Sequence, residues 1–138
     1  MHKNSIVISL LGLLLFFGCE RASLLEDEGP SEATLSAIQD KIFDTNCALS
    51  GCHAGSSPQL GMSLEAGEAF SNIVNVQSQE RADLQRIDPG NPEGSYLLKK
   101  VRGDADIVGM RMPLGRSNLS GEDIELIRQW IEDGALDD

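Results

Sequence analysis

Cys47, Cys52 and His53 are reactive or metal-ligating residues that lie close together in the sequence. Four residues separate the two cysteines, and the histidine directly follows the second one. Covalent attachment of haem needs this set, because two thiols add across the haem vinyl groups and the adjoining imidazole ligates the iron. The usual spacing is C-x-x-C-H, and Gly51 offers the backbone freedom that a longer loop needs. The sequence therefore predicts one covalently bound haem c with His53 as an iron ligand.

Three other interpretations of the cysteine pair remain open. Thiols of exported proteins tend to oxidise, so Cys47 and Cys52 could form a structural disulfide, which would leave His53 without a role. A structural zinc site needs four ligands, and the chain has few besides these three residues. A redox-active dithiol is typical of C-x-x-C beside a βαβ unit, and the sequence has neither feature.

His2 and His53 are the only histidines, and His2 lies in a predicted leader. The second axial position must therefore be filled by methionine, by a less usual donor such as lysine, by water, or by nothing. Met62 lies in an apolar stretch and is expected to fill the core. Met110 and Met112 lie in a non-periodic segment, where their side chains would point to opposite sides, so at most one would reach the iron.

The N-terminus predicts export and lipid anchoring. Lys3 precedes an apolar run from Ile6 to Phe17, which ends at Gly18-Cys19. The run has signal-peptide proportions and is too short to span a membrane, and its end resembles a bacterial lipobox. We therefore expect residues 1–18 to be a lipoprotein signal peptide and Cys19 to be lipidated. The protein would be anchored in the cell envelope, facing the periplasm or the cell surface.

The composition is acidic, with 22 Asp and Glu against 11 Lys and Arg and a formal net charge of −11. Such a charge argues against nucleic acid as a partner and is compatible with a partner that has a basic docking face. Residues 19–31 contain few apolar side chains and are expected to form an acidic, flexible tether. Residues 32–138 then form one domain.

Apolar periodicity predicts an all-α domain of about four helices. Ser31 would cap the first helix, which begins near Glu32 and runs into Cys47. A short second helix is expected over residues 64–74, although its glycine at position 67 weakens that prediction.

The last two helices are predicted from their capping residues. Asn91-Pro92 is typical of a helix start, and Gly103 would end that helix. Ser120 with Asp123 forms a capping-box pattern at the start of the last helix, and Gly134 would end it.

Two residue pairs, Cys52-His53 and Met112-Pro113, are the most specific elements of a wider pattern. The rest of the pattern consists of Ile38-Gln39, Ile42-Phe43, Cys47, Gly51, Asp88-Pro89-Gly90-Asn91-Pro92, Ser95-Tyr96-Leu97, Arg111, Trp130-Ile131 and Gly134-Ala135. These motifs span residues 34–135 and together resemble a small class I cytochrome c domain of the kind that bacterial lipoproteins carry. The resemblance implies about four helices around a covalently attached haem, Met112 as the second axial ligand, and Phe43 and Trp130 packed beside the haem.

The function implied by the resemblance is electron transfer by a membrane-tethered c-type cytochrome that catalyses no reaction of its own. His53 and Met112 would ligate the iron, and the partners would be redox proteins of the cell envelope. Two alternatives remain. The sixth position could be open or labile, as in a haem-based sensor or an enzyme subunit, or the chain could be a disulfide-stapled lipoprotein binding module without haem.

Overall fold

The computed structural model describes residues 33–138. Helices joined by loops make up this range, and its strand pairing is limited to isolated bridges, such as Val74 with Ile87 and Gln77 with Gln85. The described residues are therefore mostly helical and form no sheet, as the periodicity predicts. None of their helices is long and apolar enough to cross a membrane. The predicted signal peptide, Cys19, the tether and the Ser31 cap lie outside the described residues.

The first helix leads directly into the cysteine loop. Helix α1 spans Leu35–Ile38 and continues without a break as a π-helix, Gln39–Cys47. The Thr34 hydroxyl caps α1 by accepting a hydrogen bond from the Ala37 N–H at 3.0 Å. The predicted start near Glu32 is therefore three residues too early, whereas the predicted end at Cys47 is confirmed.

The second helix is shorter than predicted. Helix α2 spans Ala69–Ile73, and residues 64–68 before it are not helical. Gly67 has a φ of 79°, which belongs to the left-handed region and interrupts a right-handed helix. The Leu64 N–H also donates to the carbonyl of His53 at 2.8 Å, so this segment is tied to the cysteine loop.

The third helix is preceded by a separate turn. A 3₁₀ turn, Pro92–Gly94, follows Asn91, whose side chain accepts a hydrogen bond from the Gly94 N–H. Helix α3 then spans Tyr96–Arg102. The predicted capping by Asn91 is confirmed, but the single predicted helix is in fact two elements. Gly103 ends α3 with a φ of 78°, as predicted.

The last helix, α4, spans Gly121–Glu132 and begins as predicted. The Ser120 hydroxyl accepts a hydrogen bond from the Asp123 N–H at 3.0 Å, and the Asp123 carboxylate accepts one from the Ser120 N–H. These reciprocal bonds form the predicted capping box. Gly134, with a φ of 104°, lies just beyond the helix end.

The helices share one apolar core, in which α4 packs against both α1 and α3. Trp130 is almost fully buried, and its indole Nε1–H donates to the carbonyl of Leu136 at 2.9 Å. The other large side chains with almost no exposed surface are Ile38, Ile42, Phe43, Ile73, Ile87, Leu98, Ile127 and Ile131. This core forms one wall of a cavity that the cysteine loop and the segment after α3 close from the other sides.

Candidate cofactor site

Cys47, Cys52, His53 and Met112 line the same cavity, whose volume is about 500 Å³. This volume falls within the range of about 300–1,000 Å³ that is usual for small-molecule and cofactor sites. Buried apolar side chains form much of the wall, namely Ile42, Phe43, Leu64, Leu97, Val101 and Ile127. The fold thus brings together the four residues that the sequence singles out, although Met112 is far from the others along the chain.

Backbone hydrogen bonds close the cysteine loop on itself. The N–H groups of Leu49 and His53 both donate to the carbonyl of Cys47, at 2.9 and 3.2 Å. The Cys52 N–H donates to the carbonyl of Leu49 at 2.9 Å. Gly51 adopts a φ of 81°, so its backbone freedom is used as the sequence predicts. The two additional residues of this loop are therefore held in a compact turn.

The His53 ring is oriented by a hydrogen bond to the backbone of Met62. Its Nδ1 lies 3.1 Å from the carbonyl oxygen of Met62. Because a carbonyl can only accept, Nδ1 carries the proton, and Nε2 is the ring nitrogen with the free lone pair. Burial lowers the pKa of His53, which favours this neutral form. A neutral imidazole with a fixed tautomer is the form that ligates a metal.

Cys47 and Cys52 are free thiols in different environments. Cys52 is exposed, whereas Cys47 is half-buried and packs against the core. Burial, reinforced by the nearby Cys52, raises the pKa of the Cys47 thiol to about 12. Cys47 is therefore protonated near neutral pH.

The described residues contain no cluster of three or more His, Cys, Asp or Glu side chains that could hold a metal ion, so they offer no zinc site of that kind.

This difference predicts selective alkylation of the reduced, haem-free protein. Iodoacetamide at pH 8 should modify Cys52 much faster than Cys47, because a pKa of about 12 leaves only about 10⁻⁴ of Cys47 as thiolate. Peptide mass spectrometry after timed quenching would measure both rates. Denaturant should make the two rates similar. Equal rates without denaturant would show that the loop is not ordered as described.

Met112 and Met110 occupy different places, although only one residue separates them. Met112 is partly buried, packs against the core and lines the cavity. Met110 is 67% exposed and is not among the residues that line the cavity. Met62 also lines the cavity and packs against the core, as expected for a filler, but its carbonyl has the additional role of orienting His53.

Helix α3 holds the segment that carries Met112. The Met112 N–H donates to the carbonyl of Lys100 at 2.9 Å, and the Lys100 Nζ donates to the carbonyl of Val108 at 2.7 Å. The Val108 N–H in turn donates to the Tyr96 hydroxyl at 2.9 Å. Arg111 Nε donates to the carbonyl of Val101 at 2.8 Å. These bonds fix a segment that has no regular secondary structure of its own.

Positive charge predominates among the residues that line the cavity. Arg86, Lys100 and Arg116 are cationic, and Glu80 is the one acidic residue among the lining side chains that the structure describes. Glu80 lies 3.1 Å from the Lys100 ammonium and so compensates one cation. A cavity with this balance favours a ligand that carries negative charge, although the chain as a whole is acidic.

Arg86 is a site residue that the sequence analysis misses. It is only 7% exposed, and its guanidinium donates to the carbonyls of Asn72 at 2.7 Å and Leu60 at 2.8 Å. No carboxylate of residues 33–138 lies within ion-pair distance of it, and burial lowers its pKa. Nothing in the sequence around Arg86 distinguishes it from the surface arginines, so burial alone reveals it.

Replacing Arg86 by Met is expected to lower the free energy of unfolding by about 1–3 kcal/mol, because buried carbonyls lose their donor. Urea titration of the purified protein would measure this change. Arg128→Met is the matched control, because Arg128 makes its ion pairs with Glu125 and Glu132 at the surface. The control should change stability much less. Equal effects would mean that the Arg86 hydrogen bonds do not hold this part of the fold.

The two aromatic residues that are predicted to pack beside the haem occupy different positions relative to the cavity. Phe43 lines the cavity, but Trp130 is buried in the core behind it and is not among the lining residues. Ile127, one turn before Trp130 on α4, reaches the cavity instead.

Comparison with known proteins gives no match, since no family model, no curated protein and no solved structure is similar enough to identify a relative.

Proposed function

We propose that this chain is a lipid-anchored c-type cytochrome that transfers single electrons through one covalently bound haem. The observation that carries the proposal is the convergence of Cys47, Cys52, His53 and Met112 on one largely apolar cavity. Two thiols, an oriented neutral imidazole and a thioether form a donor set suited to covalent haem with His/Met ligation.

The residues of the cavity fit this cofactor in both chemistry and charge. Cys47 and Cys52 would form the thioether bonds, and His53 and Met112 would be the axial ligands. A haem also carries two carboxylates, and Arg86 and Lys100 provide buried cations on the cavity wall. A buried guanidinium without an acidic partner is costly, so an anionic ligand would stabilise it.

The role of the protein in electron transfer is to hold the ligands and exclude water. When bound, the haem supplies the one-electron Fe(III)/Fe(II) couple. The hydrogen bond from His53 to Met62 and the bond from Met112 to Lys100 hold the two ligand-bearing segments in place. If His53 and Met112 stay fixed, the iron site rearranges little when the iron changes between Fe(III) and Fe(II). The apolar wall keeps water away from the site and so favours the less charged, reduced state.

The proposed anchoring to the envelope and the proposed partners rest on the sequence alone. Lipid on Cys19 and an acidic tether would keep the domain at a membrane surface, where it would exchange electrons with redox proteins of the cell envelope. Fractionation of cells that express Cys19→Ser tests this part. The variant should be found in the soluble fraction, and its retention in the membrane fraction would contradict lipid anchoring at this residue.

Extraction with acidified acetone tests the covalent attachment. This treatment removes haem that is held only through its iron. The extracted wild-type protein should keep its colour, and its mass should exceed that of the polypeptide by the mass of one haem. The double variant Cys47→Ser/Cys52→Ser should release any haem that it binds. A wild-type protein that loses its colour, or that never contains haem, would contradict the proposed function.

A further inference from the structure

Seven residues that line the cavity are exposed, and together they define its mouth. Leu60 and Leu114 are the apolar members, with 46% and 56% of their surface exposed. Gly51, Cys52, Gln59 and Gln79 are neither acidic nor basic residues, and Arg116 is the only Asp, Glu, Lys or Arg among the seven. The mouth is therefore an apolar and neutral surface with one positive charge and no carboxylate among its lining residues.

This composition differs from that of the whole chain, in which Asp and Glu outnumber Lys and Arg by 22 to 11. The charged side chains that line the cavity behind the mouth do not give it a net negative charge. Glu80 is half-buried and paired with Lys100 at 3.1 Å, while Arg86 has no acidic partner among the described side chains. Arg86 and Lys100 would offset two of the three negative charges that Glu80 and the two carboxylates of a bound haem bring to the cavity. Arg116 is therefore the one charged side chain among the residues that define the mouth, although the chain as a whole is acidic.

From this charge distribution we propose that the mouth docks a redox partner whose contact face is apolar at its centre and bears carboxylates at its edge. The inference rests on the proposed function and adds the kind of partner to it. The net charge of the chain alone predicts a basic partner face. Charges within about one Debye length of the contact dominate docking at physiological salt, however, and that length is about 8 Å. A carboxylate on the partner would meet Arg116, while Leu60 and Leu114 would lie against apolar surface.

Small oxidants of different charge probe this surface directly. The full-length haem-containing protein is reduced and then mixed in a stopped-flow instrument with ferricyanide, with tris(phenanthroline)cobalt(III), or with neutral benzoquinone. We expect the ferricyanide rate to fall as ionic strength rises from about 0.01 to 0.5 M, because salt screens an attraction between unlike charges. The cobalt complex should show the opposite trend. The benzoquinone rate corrects for any change in reduction potential.

Arg116→Gln supplies the decisive comparison, and Arg128→Gln removes the same charge from a residue of α4 that does not line the cavity. At about 0.01 M ionic strength, Arg116→Gln should lower the ferricyanide rate, relative to benzoquinone, by about three- to five-fold. Arg128→Gln should leave this ratio nearly unchanged. Equal effects of the two variants, or a wild-type ferricyanide rate that rises with salt, would overturn the docking proposal while leaving the haem assignment intact. A protein without covalent haem would overturn both.

Discussion

Replacing His53 by Gly is expected to abolish the stable low-spin haem protein. His53 is the only histidine among the described residues, so no second imidazole can take its place. Loss of an outer hydrogen bond to a metal ligand typically costs 10–100-fold in metal affinity, and loss of the ligand itself should cost more than about 100-fold. The measurement is the haem content per protein after expression in a host that matures c-type cytochromes.

Added imidazole provides the control for this variant, because it can fill the space of the missing ring and ligate the iron. Partial recovery of the low-spin spectrum on titration with imidazole would show that the fold survives and that only the ligand is missing. Met62→Leu is a further control. It retains the carbonyl that orients His53 and removes the sulfur of a lining methionine that is not a proposed ligand. A normal low-spin haem in His53→Gly without imidazole would disprove the assignment of His53.

Met112→Ala is expected to convert a six-coordinate, low-spin haem into a high-spin or water-ligated one. The reduction potential should fall as well, by on the order of 0.1 V, because a thioether ligand favours the reduced state. Met112 is suited to this role because it lines the cavity and its backbone is tied to Lys100 at 2.9 Å. Optical spectra and a redox titration of the variant would measure both changes.

Met110→Ala is the matched control, because it removes the same type of side chain two positions before Met112. Met110 is 67% exposed, so its loss should change neither the spectrum nor the potential. If Met110→Ala altered the spectrum and Met112→Ala did not, the choice of ligand would be wrong. If neither variant changed it, the sixth position would be open or filled by another group, as in the sensor alternative.

The helix ends were predictable where one local pattern determines them. The Ser120–Asp123 capping box and the end of α3 at Gly103 depend on residues close in sequence, and both predictions are confirmed. The predicted start of α2 at residue 64 is wrong. The Leu64 N–H donates a hydrogen bond to the carbonyl of His53 in the cysteine loop, and residues 64–68 are not helical. Apolar periodicity in a short segment cannot reveal such a contact.

The sequence predicts which side chains form the candidate site, but it does not predict the groups that hold them in position. The types and spacing of Cys47, Cys52 and His53 identify possible chemistry without any structure. The carbonyl of Met62 and the guanidinium of Arg86 leave no such trace, because a backbone acceptor has no sequence signature and burial depends on tertiary packing. The π-helix before Cys47 was missed as well, since the stripe of apolar residues there fits an ordinary α-helix equally well.

The proposed function requires that Cys47, Cys52, His53 and Met112 together bind one covalent haem. The most direct test is the optical spectrum of the wild-type protein, exported in a host that matures c-type cytochromes, before and after reduction with dithionite. We expect a sharp α-band on reduction, a weak Met–iron charge-transfer band in the oxidised form, and a haem stain that survives denaturing electrophoresis. A folded, colourless protein in which Cys47 and Cys52 are joined by a disulfide would contradict it and would favour a lipid-anchored binding module.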